Sequence, residues 1–324
     1  MNIESYLSSY ISSLEGRSGG VSTSGLYSPI AYSLEAGGKR IRPTLALLAS
    51  QIWNAPEEDV MPAALALEVF HTFTLLHDDV MDNASTRRGR DCVHVKWNAN
   101  TAILSGDQML IEAYRLLSQI PEWAVPGTLR LFNDMATEVC EGQQLDMDFE
   151  TYDPLTPNRS PLTVTDYMLM IAKKTSALLA YALRIGAYIA KAPQEAQMAL
   201  FRFGMALGKA FQIQDDYLDC FGTEETLGKA IGGDIREHKK TYLYLTALNF
   251  ISPLEGEPEG VATLNSGDFE AVTALYRELK VDQLAQEAVA DLTRQAIAEL
   301  DTLPDTPART QLISLASQLI NRKN

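Results

Sequence analysis

Two aspartate-rich clusters with identical spacing lie in separate parts of the chain. Both read Asp-Asp-x-x-Asp, and their members are Asp78, Asp79, Asp82, Asp215, Asp216 and Asp219. On a helix, the first and last aspartates of each cluster share a face, and three carboxylates within about one turn repel each other unless a positive group neutralises them. Carboxylates suit Mg²⁺, which also binds water and phosphate oxygens. One cluster alone could be a solvated helix end, but the repeated spacing favours a phosphate or diphosphate held through magnesium.

Several basic residues lie in four short groups, although the chain is acidic overall. Asp and Glu total 42 against 27 for Lys and Arg, a net charge of -15, which disfavours a nucleic-acid partner. The groups are GGKRIRP at residues 37–43, RRGR at 87–90, KKT at 173–175 and KKT at 239–241. Such side chains bind phosphate oxygens, and the alternative for any single group is surface solubility. Lys174 lies within an apolar helix, where a charge without a partner is costly. Basic groups near a metal site predict a second anionic group of the substrates, one that the metal does not neutralise.

Composition and periodicity predict one all-α domain over residues 1–324. The chain is 46% hydrophobic, its three cysteines are scattered without a disulfide or zinc pattern, and neither a secretory signal nor a membrane span is expected, so we predict a cytoplasmic protein. Turn residues predict loops at 83–91, 151–161 and 253–268. Apolar residues repeat with helical spacing in segments 27–53, 58–82, 101–118, 129–149, 165–191, 194–220, 240–250, 269–301 and 307–321.

The two aspartate clusters each end a helix whose polar residues continue along one face. These stripes predict a cavity with a charged mouth and an apolar floor. Taken alone, the Gly204-x-x-x-Gly208 pair indicates close helix packing, and His71 indicates a core histidine. The stripes comprise Glu68, His71, Leu75 and Asp78 in the first helix, and Gly204, Gly208, Phe211, Gln212, Asp215 and Asp219 in the second.

From about Gly37 to Thr241 the chain resembles the trans-isoprenyl diphosphate synthase family, also called polyprenyl synthases. The motifs that carry the resemblance are GGKRIRP, HTFTLLHDDVMD followed by RRG, GQQLD, KKTS, FQIQDDYLD, and GKAIGGDI followed by KKT. Two aspartate motifs in this order with these basic partners are specific to the family. The chain departs from the usual pattern at Ala230, where proline is common, which affects a loop.

This resemblance implies a terpenoid synthase-type helical bundle around a deep central cavity, usually as a homodimer. It implies three Mg²⁺ ions, two held by Asp78 and Asp82 and the third by Asp215, with the other three aspartates as ligands or water-mediated support. Four residues would bind the allylic diphosphate: Arg87, Lys174, Gln212 and Lys229. Four would bind the diphosphate of isopentenyl diphosphate: Lys39, Arg42, His71 and Arg88. The remaining assignments are substrate contact by Gln143 and Asp146, closure over the allylic site by Lys239, and cation stabilisation by Thr175, Gln212 and the Lys174 carbonyl.

The activity implied is head-to-tail (1'-4) condensation of isopentenyl diphosphate with allylic diphosphates after magnesium-assisted ionisation. Phe73 and Thr74 occupy the positions that commonly limit product length, and this pair resembles enzymes that form geranylgeranyl (C20) rather than farnesyl (C15) diphosphate. Helix geometry alone does not make Phe73 the floor of the cavity, and an ordinary core aromatic is the alternative.

Three other classes of protein share part of this pattern. A class I terpene cyclase usually carries one such motif and needs no isopentenyl-binding group. A non-catalytic prenyltransferase-like regulatory subunit tends to lose aspartates, and both motifs here are complete. A di-iron carboxylate bundle needs two Glu-x-x-His pairs, whereas this chain offers one, Glu68 with His71.

Overall fold

The computed structural model describes residues 3–15, 24–156, 160–223, 231–251 and 258–320, and its regular structure is almost entirely helical. A π-helical segment (Ala172–Ser176) and a 3-10 turn (Glu122–Ala124) interrupt the α-helices. The strands of the described residues are β1 (Thr86–Arg87) and β2 (Arg90–Asp91), which pair antiparallel. The helices are α1 (Ile3–Glu15), α2 (Ser24–Leu34), α3 (Ile41–Gln51), α4 (Glu57–Met81), α5 (Val93–Lys96), α6 (Ala99–Leu117), α7 (Val125–Glu150), α8 (Val164–Ile171), α9 (Ala177–Ile189), α10 (Gln194–Phe221), α11 (Gly233–Arg236), α12 (Tyr242–Phe250), α13 (Pro258–Leu264), α14 (Phe269–Glu278), α15 (Val281–Leu300) and α16 (Pro307–Ile320). The all-α prediction is confirmed.

Two predicted helical segments are broken in the structure. Segment 27–53 forms α2 and α3, separated by Gly37 and Gly38 with φ of 75° and 138° and by Arg40 with φ of 46°. Segment 269–301 is broken before α15 at Lys280, with φ of 57°. These backbone angles lie outside the right-handed helical region, so the helix ends there whatever the hydrophobic period.

Four helices were not predicted at all; α5 and α11 are single turns of four residues, and the other two are longer. The first is α1, whose serine-rich sequence hides a buried stripe of Leu7, Ile11 and Leu14. The second is α13, which lies inside the segment 253–268 that we predicted to be a loop. Both are short amphipathic helices in which polar and small residues dilute the apolar period.

The chain divides into two compact units. The first unit is Met1–Phe132 with Ala182–Gln197, and the second is Asn133–Tyr181 with Met198–Asn324. In the first unit, α4 packs against α3 and α6, and α2 packs against α6. In the second, α12 packs against α8 and α15, and α15 packs against α14 and α16. The single domain over 1–324 stays a prediction.

Local sequence explains why the helices of the second unit begin where they do. Thr163 and Asp166 form a capping box at the start of α8, and the side chain of Asp268 accepts two backbone N–H bonds at the start of α14. Thr241 caps α12 by accepting from the N–H of Tyr244. Each cap satisfies backbone donors that have no partner within the helix.

Helix α4 forms the centre of the first unit. Among the described residues, it is the one helix long and apolar enough to cross a membrane, and 67% of the qualifying stretch is buried inside the protein. Such burial is typical of a core helix. Because α4 ends at Met81, its packing against α3 and α6 also fixes the position of the first aspartate cluster.

Candidate active site

The first aspartate cluster lies at the end of α4. Asp78 and Asp79 belong to the last turn of the helix, and the backbone N–H of Asp82 donates to the carbonyl of Asp78 at 2.9 Å. The side chain of Asp79 is 8% exposed, that of Asp78 is 20% exposed, and Asp82 is exposed. The middle carboxylate therefore points into the protein while the outer two remain accessible, as the helical spacing predicts.

Arg87 binds this cluster from the predicted loop 83–91, where β1 and β2 form a small hairpin. Its Nε donates to Oδ1 of Asp79 at 2.6 Å, and a terminal guanidinium nitrogen lies 3.8 Å from Oδ2 of Asp78. Arg88 and Gly89 at the hairpin turn have φ of 53° and 71°. The turn thus places an arginine directly beside two carboxylates of the cluster.

Residue Tyr32 on α2 holds this hairpin in place. The Tyr32 hydroxyl donates to the carbonyl of Asp91 at 3.0 Å, and the Arg90 guanidinium lies 4.0 Å from the centre of the Tyr32 ring. The third arginine of the RRGR group therefore forms a cation–π contact that attaches the hairpin to α2. No local sequence pattern connects Tyr32 to residues some sixty positions later, so its contact with the hairpin could not be predicted.

Predicted isopentenyl-site residues form a cationic cluster in the first unit. Burial lowers the pKa of His71 well below its usual value, and the nearby charges of Arg42 and Arg88 lower it further. Burial also lowers the pKa of Arg42 to about 10. The Nε of Arg42 is buried and has no hydrogen-bond partner among the described residues. A neutral imidazole beside guanidinium groups with a spare donor is an arrangement that favours an anion.

The loop before α3 completes this cluster. Arg88 donates to the carbonyl of Gly37, and a Cβ on Gly38 would lie 2.8 Å from its guanidinium. Because Gly38 has no side chain, the guanidinium of Arg88 has space beside its backbone. Lys39 follows in the same loop and is exposed. The structure thus brings together three of the four predicted isopentenyl-site residues and leaves Lys39 at the surface nearby.

The second aspartate cluster is more deeply buried than the first. Asp216 is 4% exposed and accepts hydrogen bonds from the Tyr167 hydroxyl at 2.6 Å, Gln212 Nε2 at 3.2 Å and the Tyr242 backbone N–H at 3.2 Å. Burial, and then repulsion from Asp234, raise the pKa of Asp216 to about 8. Its carboxylate therefore contacts protein donors on three sides.

Asp219 holds the segment that follows the second cluster. Its Oδ2 accepts from the backbone N–H of Asp234 at 3.0 Å, and its carbonyl accepts from that of Gly232 at 2.7 Å. The N–H of Lys239 in turn donates to the carbonyl of Asp234 at 2.9 Å, and Lys239 Nζ lies 3.2 Å from Glu237. Asp219 therefore supports the backbone that carries Lys239, while Asp215 on α10 is partly exposed.

The predicted KKT segment forms the π-helical stretch between α8 and α9. A Cβ on Gly142 would lie 2.2 Å from the backbone nitrogen of Lys174. Only glycine at this position of α7 therefore lets the π-helical stretch approach so closely. Lys174 pairs with Asp146, and the Thr175 hydroxyl donates to Oε1 of Gln212 at 3.1 Å. Local π-helical geometry of this kind is frequent at functional sites.

Gly208 allows a second close approach in this unit. A Cβ at this position would lie 2.5 Å from the Cα of Ser176, so the backbone of α10 packs tightly against the π-helical stretch. This agrees with the packing interpretation of the Gly204-x-x-x-Gly208 pair. Gln143 is partly buried on α7, and Lys229 lies outside the described residues.

The sequence matches one protein family over most of its length. The family model described as polyprenyl synthetase covers residues 23–279. The chain belongs to the polyprenyl synthetase family. As an isoprenyl diphosphate synthase it is a prenyltransferase, so the resemblance drawn from the two aspartate motifs is confirmed.

Known proteins similar to this polyprenyl synthetase differ in the product that their names state. The geranylgeranyl diphosphate synthase of Methanosarcina mazei is 38% identical over 300 residues, which cover 92% of this chain and 90% of the relative. The geranylfarnesyl diphosphate synthase of Natronomonas pharaonis is also 38% identical, over 319 residues with coverage of 92% and 90%. Identity alone therefore does not separate the two product lengths.

Solved structures show the same fold over nearly the whole polyprenyl synthetase chain. A crystal structure of a geranylgeranyl pyrophosphate synthase superposes with a TM-score of 0.87 at 39% identity, covering 100% of both chains. The Corynebacterium glutamicum geranylgeranyl pyrophosphate synthase, complexed with isoprenyl diphosphate and magnesium, superposes with a TM-score of 0.87 at 28% identity, covering 99% and 98%. The terpenoid synthase fold is therefore confirmed.

The predicted chain-length residues of this polyprenyl synthetase lie in different environments. The ring of Phe73 packs against Phe70 at 5.5 Å and against His77 at 4.8 Å between centroids. The Thr74 hydroxyl donates to the carbonyl of His71 at 2.8 Å, and both Phe73 and Thr74 are partly buried. Phe73 belongs to an aromatic cluster that continues through Phe70 to Phe132.

Three buried residues that make long-range contacts, Tyr167, Arg40 and Glu68, were not among the predicted site residues. Tyr167 binds Asp216, and Arg40 binds Glu68 at 2.7 Å in the first unit. For Glu68, the sequence did offer one signal, since it lies on the same helix face as His71. The partner residues are 49 and 28 positions apart, so no local pattern identifies either contact.

Proposed function

We propose that this chain condenses isopentenyl diphosphate with allylic diphosphates to give a short-chain trans-prenyl diphosphate, with C20 favoured over C15. The observation that carries the proposal is the cluster of Arg42, His71 and Arg88, whose lowered pKa values and spare buried donor fit a diphosphate. A terpene cyclase has no need of this second anion site. The names of the relatives support the same activity.

The aspartate clusters fit Mg²⁺ as donor sets. No three His, Cys, Asp or Glu side chains of the described residues converge on one point. Mg²⁺ typically takes only one or two carboxylates and completes its shell with water and substrate phosphates, so this arrangement suits an ion that arrives with a diphosphate. We assign three such ions to each active site, two of them bound by Asp78 and Asp82 and the third by Asp215. When bound, the metal neutralises negative charge on the leaving diphosphate.

The residues of this chain supply the remaining electrostatics. In the proposed reaction, the allylic C–O bond breaks, the alkene of isopentenyl diphosphate attacks the resulting carbocation, and a proton is lost to the released diphosphate. Arg87 and Lys174 bind the allylic diphosphate and stabilise its developing charge. The Thr175 hydroxyl and Gln212, hydrogen-bonded at 3.1 Å, direct dipoles toward the cation. Closure over the allylic site by Lys239 excludes water, which would otherwise trap the cation as an alcohol.

A homodimer is part of the same proposal, and one helix face supports it. The apolar residues of α6 form an exposed stripe in which Ile103, Leu104, Ile111 and Tyr114 are 45%, 60%, 53% and 39% exposed. A contiguous apolar patch of this kind is typical of a protein–protein interface. The cytoplasmic location and the common cavity for both aspartate clusters stay predictions of the sequence.

The decisive experiment is incubation with labelled isopentenyl diphosphate, Mg²⁺ and each of the C5, C10 and C15 primers, followed by sizing of the products. The proposal expects a C20 diphosphate and its loss on chelation of the metal. Hydrocarbon or alcohol products would favour a cyclase, and no elongation of any primer would favour a regulatory subunit. We expect Asp78→Ala and Asp215→Ala each to lower turnover at least about 100-fold, the usual scale for removing a transition-state contact. Asp134→Ala, an exposed aspartate outside the site, is the matched control.

A further inference from the structure

Arg40 forms a buried three-way hydrogen-bond network in the first unit. Its Nε donates to Glu4 at 3.0 Å, Nη1 to Oε1 of Glu68 at 2.7 Å, and Nη2 to the carbonyl of Leu34 at 2.7 Å. Arg40 is 7% exposed and Glu68 is 2% exposed. All three guanidinium nitrogens contact protein acceptors, whereas an arginine that binds a diphosphate presents its fork to the ligand. Arg40 is therefore built into the protein rather than into the substrate site.

The network lies where the isopentenyl site is assembled. Arg40 separates Lys39 from Arg42 in the chain, and its backbone adopts φ of 46° at the start of α3. Its carbonyl accepts from both the N–H and the hydroxyl of Thr44, at 3.1 and 2.7 Å. A left-handed backbone in a non-glycine residue costs free energy and persists only where surrounding contacts impose it. The Arg40 side chain supplies those contacts, and so fixes the backbone from which Arg42 extends.

Glu68 faces the same cations from α4, one turn before His71. Its Oε1 binds Arg40, while its Oε2 is buried without a hydrogen-bond partner among the described residues. Burial lowers the pKa values of Arg42 and Arg88, and the negative charge of Glu68 partly opposes this lowering. Guanidinium groups packed together repel each other, so a buried carboxylate keeps them assembled before an anionic substrate arrives.

We propose that Glu68 and Arg40 are positioning residues for isopentenyl diphosphate, and that Glu4 of α1 completes the clamp that holds residues 39–42 in their binding conformation. The inference rests on the proposed function and adds to it the dependence of one substrate site on the N-terminal helix. Neither Glu68 nor Glu4 contacts substrate in this account. The clamp therefore affects the affinity for isopentenyl diphosphate more than that for the allylic diphosphate.

The test compares Glu68→Gln and Glu4→Gln with Glu58→Gln, which removes an exposed carboxylate from the same helix, α4. Steady-state assays vary each substrate in turn at saturating concentration of the other. We expect Glu68→Gln to raise the KM for isopentenyl diphosphate about tenfold, the scale of one charge-assisted hydrogen bond, and the allylic KM less than about twofold. Glu4→Gln should raise the first KM about two- to threefold because Glu4 is exposed. Glu58→Gln should change neither constant.

Two further measurements separate a positioning role from a general loss of stability. Arg40→Lys keeps the charge but cannot reach three acceptors, so it should raise the same KM and leave the allylic one unchanged. Equal rises in both KM values, or an isopentenyl KM within about twofold of wild type in folded Glu68→Gln protein, would overturn the inference. If Glu68→Gln does not fold, Glu4→Gln decides, with an unchanged KM counting against the clamp. Failure of the wild-type protein to elongate any primer would instead count against the proposed function.

Discussion

Arg87 donates a hydrogen bond from Nε to Oδ1 of Asp79 at 2.6 Å. The middle aspartate of the first cluster is therefore paired with a guanidinium, and its side chain is only 8% exposed. Asp78 lies 3.8 Å from the same guanidinium and keeps 20% exposure. The three aspartates thus differ in environment: Asp79 is buried against Arg87, for which we propose binding of the allylic diphosphate, while Asp78 is partly exposed and Asp82 is exposed.

This pairing predicts that Asp79→Asn and Arg87→Gln act on the same interaction. Each substitution alone should lower kcat/KM for the allylic substrate, because each removes one charge of the Arg87–Asp79 ion pair. The double variant should lose less than the two single effects combined, with a coupling energy of about 1–3 kcal/mol. A double-mutant cycle measures this directly, and Asp79→Asn with the exposed Arg130→Gln provides an additive control. Full additivity for Asp79 and Arg87 would contradict the assignment.

The raised pKa of Asp216 predicts how the stability of the metal-free protein depends on pH. Burial and repulsion from Asp234 raise this pKa to about 8, against about 3.9 in an unfolded chain. Between about pH 4 and pH 8, the folded protein therefore keeps a proton on Asp216 that the unfolded chain releases. The resulting stabilisation is fully present below about pH 4 and is lost as pH rises through about 8, with a slope of at most about 1.4 kcal/mol per pH unit.

Thermal unfolding in EDTA at pH 5.5 and 8.5 tests this dependence. The wild-type protein should lose more of its free energy of unfolding between the two values than Asp216→Asn, whose amide stays neutral throughout. The difference between the two proteins isolates Asp216 from other titrating groups. Asp148→Asn, an exposed aspartate in the same unit, should behave as wild type does. Identical pH dependence in Asp216→Asn and wild type would mean that Asp216 is ionised in the folded protein.

Both aspartate clusters and the loop 83–91 that carries Arg87 could be predicted because their chemistry depends on neighbouring residues. The helical period places Asp78 and Asp82 on one face, whereas the β1–β2 hairpin within the loop was not predicted. The break between α2 and α3 was missed, since Gly37 and Gly38 act through positive φ angles rather than through the hydrophobic period.

Other parts of the site depend on contacts between residues far apart in sequence. Arg40 looks like one more member of a basic group, and only its contact with Glu68 shows that it is a buried ion pair. Tyr167 looks like a core aromatic until its hydroxyl is seen to bind Asp216. The π-helical stretch around Lys174 is likewise invisible in a period of 3.6, because it arises from packing against Gly142.

The exposed stripe on α6 predicts the surface through which two copies associate. Leu104 and Ile111 are 60% and 53% exposed, and placing charges there would bury unpaired carboxylates in a dimer. We expect the double variant Leu104→Asp/Ile111→Asp to shift the protein from dimer to monomer in sedimentation velocity. Leu169→Asp, at a residue 51% exposed on α8, should leave the dimer intact. If the α6 variant remains a dimer, the interface lies on another surface. If the wild-type protein is a monomer, the proposed dimer does not exist.

The position of Phe73 predicts where growth of the prenyl chain stops. Its ring is partly buried and packs against Phe70 and His77, so it is held in one position by aromatic neighbours rather than free to move aside. Phe73→Ala removes that bulk next to the first aspartate cluster and should extend the product from C20 toward C25, the length in the name of the Natronomonas pharaonis relative. Chromatography of dephosphorylated products gives the length distribution, and Trp123→Ala, which truncates an aromatic residue 45% exposed in the same unit, is the control. An unchanged distribution in Phe73→Ala would show that Phe73 is a core aromatic, and that the stop lies at another residue.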